Sequence, residues 1–153
     1  MKTCLNVFVA VLMLVAVSLV GAQAKPNLTG TWKMNPQKTE FGPNGGPDAI
    51  TMEFDQKETG LTEKLTLVGG GGERTMNLKY TTDGKDGTNE INGNPVTTVA
   101  RWDGEALVIE WKGEGVTFSR KITLSADGKM MTIAVRQTGP GGEITQTVVL
   151  DKQ

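Results

Sequence analysis

"VTTVARWDGEALVIEWKGEGVTFSRKITL", Val96 to Leu124, decides the fold class. Apolar side chains recur at every second position: Val96, Ala100 and Trp102, then Leu107, Ile109 and Trp111, then Val116, Phe118, Ile122 and Leu124. A two-residue period belongs to a strand with one buried face. Asp103-Gly104 separates the first two runs, and this dipeptide is favoured in two-residue hairpins because the turn needs positive φ. Lys112-Gly113-Glu114-Gly115 separates the second from the third. The stretch predicts antiparallel strands over 95–102, 105–112 and 116–124.

The same rhythm runs outward in both directions. It predicts strands over 28–34, 49–56, 61–68, 73–81, 129–137 and 143–151, with a weaker one through Asn89–Asn92. No stretch of a dozen residues keeps a 3.6-residue apolar period, so helices are not expected. Turn residues lie at Asp127-Gly128, at Gly69–Gly72 and at Gly139-Pro140-Gly141-Gly142. A glycine-rich phosphate cradle needs a helix N-terminus after it, and a strand follows each of these runs. Asp83, Asp86 and Asp127 are read as turn formers. The segment Asn35–Asp48 breaks the rhythm, with three prolines and three glycines in fourteen residues. It serves either as a cover or as a crossover along the rim, and Phe41 is its one large apolar side chain. The expected fold is all-β: an up-and-down antiparallel meander of eight to ten strands, closed into a barrel that removes exposed edges.

The first residues, "MKTCLNVFVAVLMLVAVSLVGAQA", join a cation at Lys2 to an apolar run and an A-x-A site at Ala22-Gln23-Ala24. That is the layout of a signal peptide over 1–24, cleaved before Lys25. The expected mature chain is one domain over 25–153, secreted or periplasmic, without a membrane span. The only cysteine, Cys4, leaves with the leader, so core packing alone stabilises the rest. The mature charge is close to balanced, and no long block of one sign supports a nucleic-acid partner. The chain contains no histidine. The usual nucleophile–base pairs and imidazole or thiolate metal sites are therefore excluded. No catalytic or metal-ligating residue and no cofactor is expected.

Alternation also sorts side chains by face. Trp32, Met52, Phe54, Leu65, Met76, Tyr80, Trp102, Ile109 and Phe118 point inward. Glu63, Arg74, Thr98, Arg120, Gln137 and Gln146 share their parity. Buried polar groups need partners. Arg74 or Arg120 meets a ligand carboxylate on one reading; on the other, Glu63 pairs with an arginine or the positions lie at open barrel ends. An arginine packed over Trp32 would close the barrel floor.

Gly30-Thr31-Trp32 on the first strand, followed by the meander, resembles the lipocalin-like (calycin) superfamily. The chain looks particularly like small secreted bacterial lipocalin-like proteins of unassigned function. That likeness runs through "GTWKMNPQKTEFGP", "YTTDGK" at Tyr80–Lys85, "WDGEALVI" at Trp102–Ile109, "LSADGK" at Leu124–Lys129 and "GGEITQTVVLDKQ". It implies a barrel with an internal cup for small hydrophobic molecules, closed at one end by Gly30 and Trp32. The final strand carries no arginine. The fatty-acid-binding branch also opens with G-x-W and inserts two helices after strand one, which Asn35–Asp48 is too rich in proline and glycine to supply.

Three functions follow as expectations. The first is an exported module holding a small hydrophobic or amphipathic molecule. Its candidate walls are Met52, Phe54, Leu65, Met76, Tyr80, Trp102, Ile109 and Phe118, with Arg120 as polar anchor. The second is a structural or interaction barrel filled by its own side chains. The third, an enzyme using Tyr80, Glu63 or Arg120, is weakened by the missing histidine.

Overall fold

The computed structural model describes residues 24–153, so the expected leader, apart from Ala24, lies outside the described residues. Ten strands follow one another: β1 (Gly30–Met34), β2 (Ala49–Lys57), β3 (Gly60–Gly69), β4 (Gly72–Thr81), β5 (Asp83–Ile91), β6 (Asn94–Asp103), β7 (Ala106–Gly113), β8 (Val116–Leu124), β9 (Met130–Gly139) and β10 (Gly142–Lys152). All pairings are antiparallel, in the order β4-β3-β2-β1-β10-β9-β8-β7-β6-β5. The meander is thus wound into a nearly closed barrel, and β1 joins β10 through Trp32↔Lys152 and Met34↔Leu150. No helix occurs among the described residues.

Two local expectations are corrected. The β6–β7 ladder runs to Asp103↔Ala106, which leaves Gly104 and Glu105 as the turn residues. Only Gly104 of that pair has positive φ, at 60°; the hairpin is centred one residue later than the Asp-Gly reading. The second correction is larger. The weak strand at Asn89–Asn92 is the end of a full strand, β5, and Asp83 and Asp86 belong to it rather than to a turn. Its first residues look like a turn because they form a bulge: the register shifts between Asp83 and Asp86, and Gly84 sits at φ 80°. The Asp83 carboxylate accepts the Lys85 backbone N–H, which holds its pKa below the usual carboxylate range. A bulge inserts turn chemistry into a strand.

One end of the barrel is solid. Trp32 is fully buried and donates its indole N–H to the Leu28 carbonyl at 2.9 Å. The cation over its ring is Lys152, 5.3 Å from the centroid, and not an arginine. Gly30 stands at φ 135°, and a Cβ there would come within 3.1 Å of the Lys152 side chain. Leu61, Leu78, Leu107, Ile109, Ile122, Met131 and Leu150 fill the interior around this floor.

β4 and β5 share no ladder. The seam between them is bridged by one side chain. Asn89 of β5 accepts the Lys79 backbone N–H at 2.8 Å and donates to the Lys79 carbonyl at 2.8 Å. Its amide thereby stands in for a peptide unit of the missing ladder. A further bond to the Thr98 hydroxyl at 3.0 Å fixes the rotamer. This accounts for buried Thr98.

Candidate functional site

The other end of the barrel holds a cavity of about 190 Å³. Ile50 and Met52 of β2, Leu65 and Leu67 of β3 and Met76 of β4 form one wall. Trp111, Phe118, Ile133, Val135 and Val148 form the other, and Phe41 and Pro47 reach in from the 35–48 segment. That segment is strapped along β10. The Glu40 and Thr147 backbones exchange hydrogen bonds of 2.7 and 2.8 Å, and Gln146 donates to the Phe41 carbonyl at 3.1 Å. The strap and the cover are therefore the same piece of chain. At Gly46 a side chain would run into the Phe41 ring, so this glycine lets the ring lie flat.

Arg120, only 3% exposed, is the charged member of the wall. Its guanidinium donates Nη1 to Glu63 Oε1 at 2.7 Å and Nη2 to Glu63 Oε2 at 2.6 Å. Nη2 also donates to the Tyr80 hydroxyl at 3.2 Å. β3 and β8 lie five steps apart in a ten-strand order, so the pair crosses the barrel interior. The guanidinium stacks 4.9 Å from the Trp111 ring centroid, and Trp111 stacks on Phe118 at 4.9 Å. Burial alone would lower the basicity of Arg120, yet the Glu63 charge and the bonds to Glu63 and Tyr80 hold it above the ordinary range. Burial likewise pushes the Tyr80 phenol well above its usual value, against the lowering influence of Arg120. The network is a neutral ion pair flanked by a phenol that stays protonated. The indole N–H of Trp111 lies near enough to the Tyr80 hydroxyl to affect its acidity but is not aligned as a hydrogen bond. The Arg120 Nε–H is buried and has no acceptor among the described residues.

Of the candidate ligand-binding residues, the cavity brings together Met52, Leu65, Met76, Phe118 and Arg120. Phe54 and Ile109 are packed in the solid half. Tyr80 touches the cavity's edge only through Arg120, and Trp102 packs against the core from a half-buried position. Arg74 is exposed on β4, as is Gln137 on β9. Glu63 meets the arginine. Sequence reasoning passed over Trp111, Ile133, Val135 and Val148 as wall residues, although their inward parity was available. Which half of the barrel they occupy needs the register. Among the described residues, no group of acidic side chains is placed to hold a metal ion, and no helix is long and apolar enough to cross a membrane.

No protein-family model matches the chain, and no curated protein matches it in sequence. Solved structures do match in shape. A secretory abundant heat soluble protein from Ramazzottius varieornatus superposes with a TM-score of 0.67 at 11% identity, over 86% of this chain and 99% of the other. Zebrafish ileal bile acid-binding protein, complexed with cholic acid, gives 0.61 at 15% identity, over 82% of this chain and 98% of the other. Echinococcus granulosus fatty-acid-binding protein 1 gives 0.60 at 12%, over 82% and 96%. At such identities the likeness concerns the course of the backbone, so what carries over is the architecture: the chain has a lipocalin-like barrel fold, in a ten-stranded, nearly closed form.

Proposed function

We propose that the protein is an exported binding barrel that carries a small hydrophobic or amphipathic molecule in its upper half. The observation that carries this reading is the 190 Å³ cavity, walled by apolar side chains with a single charged residue. Binding pockets combine mostly apolar walls with a few directed polar groups. Two of the similar structures are bile-acid- and fatty-acid-binding proteins, which supports binding over catalysis. Export rests on the leader-like residues 1–24. Native mass spectrometry of the protein purified from its own host tests the first point. A bound small molecule, or tryptophan quenching by members of a lipid panel, is expected; an empty protein that responds to none of them overturns it. N-terminal sequencing of the same material is expected to begin at Lys25.

A second reading is a structural barrel without cargo. The filled lower half, built on Trp32 and the leucines above it, is the observation in its favour. The same measurements separate the two.

A further inference from the structure

We propose that the cavity selects uncharged molecules carrying an acceptor oxygen, such as a ketone, ester or ether, and disfavours free carboxylates. This rests on the binding reading above and narrows it. An arginine on an apolar cavity wall suggests an acid as its partner. Here that role is filled from within, because both carboxylate oxygens of Glu63 are bound by the two Nη atoms of Arg120. Glu63 is 1% exposed, so its charge is fixed in the interior along with that of Arg120. A second carboxylate would enter an already neutral pair and lie near the first anion. It would have to leave water without gaining a counter-ion, which is the expensive case for a buried charge.

One donor is left. The Nε–H of Arg120 is buried without an acceptor, on a residue that lines the cavity. An N–H on a cation gains more from a neutral oxygen than a neutral donor does, and leaving it unpaired is unfavourable. A single carbonyl or ether oxygen satisfies it without adding charge. Size limits the occupant as well. A dry cavity of about 150 Å³ holds benzene, so a 190 Å³ cavity takes a body of a ring with a short chain.

Three probes of nearly the same shape test this: 4-phenylbutan-2-one, 3-phenylpropanoate and (3-methylbutyl)benzene, titrated against the full folded protein by tryptophan fluorescence at neutral pH. The ketone is expected to bind at least about tenfold more tightly than the carboxylate. It is also expected to exceed the hydrocarbon by about tenfold once each affinity is divided by the cyclohexane–water partition of the neutral probe. A carboxylate that binds as well as the ketone, or a hydrocarbon that matches it after that correction, overturns the selectivity. Failure of all three removes the binding reading together with this one, so the two failures are distinct. In Glu63→Gln the arginine loses its counter-ion, and the preference is expected to turn toward 3-phenylpropanoate by about tenfold; an unchanged order overturns the proposal. Should that variant not fold, the wild-type order decides alone.

Discussion

Tyr80 is the chain's single tyrosine, which makes its ionisation readable without interference. Burial raises its pKa well above that of a free phenol. An unfolded tyrosine ionises near pH 10 while the folded one stays protonated, so the folded state holds more protons in that range. Stability is therefore unaffected by Tyr80 below about pH 10 and falls as pH rises further. Tyrosinate absorbance followed through an alkaline titration is expected to appear only with unfolding, in one cooperative step; gradual appearance in the folded protein would contradict the burial. The ion pair beside it behaves in the way of buried pairs generally. Glu63→Leu leaves a buried guanidinium without a counter-ion and is expected to cost about 3–5 kcal/mol in denaturant melts. Replacing both partners, as Glu63→Leu with Arg120→Met, is expected to recover most of that loss, because the double variant buries no charge. If the double variant is as unstable as the single one, the pair contributes more than mutual neutralisation.

Elements are where the missing ladder and the strap act. Asn89→Ala removes the two bonds that join β4 to β5 at Lys79, and is expected to destabilise the protein by about 2 kcal/mol. Faster hydrogen exchange at the Lys79 amide would locate the effect; unchanged protection there would mean the seam is held by other contacts. In the strap, Gly46→Ala forces the Phe41 ring to move and is expected to cost about 1–3 kcal/mol. The same change in a Phe41→Ala background is expected to be nearly neutral, a coupling that a double-mutant cycle measures directly. These two elements also show what a linear reading can and cannot reach. Alternation placed Trp32, Leu107 and Ile122 inward because period two is a local property. β5 was mostly unreadable, since "DGKDGTNEI" offers one large apolar residue and spends Asn89 on the backbone of another strand. The partner of Arg120 was present among the alternatives, but Glu63 lies 57 residues away and across the lumen. The sequence points to an arginine over Trp32, but a lysine at the last position of β10 takes that place because antiparallel pairing sets Lys152 beside Trp32.

At the scale of the whole molecule, the first and last strands close the sheet, and the Gln153 backbone N–H reaches the Thr31 carbonyl at 2.9 Å. Pro26 and Asn27 line one surface groove with Lys152, so Lys25 and Gln153 lie close enough for a short linker. A circular permutant of residues 25–153 opened between Gly70 and Gly71, with a short linker from Gln153 to Lys25, is expected to give the same far-ultraviolet spectrum as residues 25–153 unpermuted and to melt within a few degrees of them. A permutant that aggregates would show that β1 must be made first. The arrangement of the interior has a mechanical corollary. Below the Glu63–Arg120 strut the barrel is packed solid around Trp32, and above it lies the 190 Å³ cavity, partly covered by a proline- and glycine-rich strap. Hydrostatic pressure acts on void rather than on packed matter. The molecule is thus stiff at its base and compliant at its mouth, so a load would be taken up at one end while the other kept its shape.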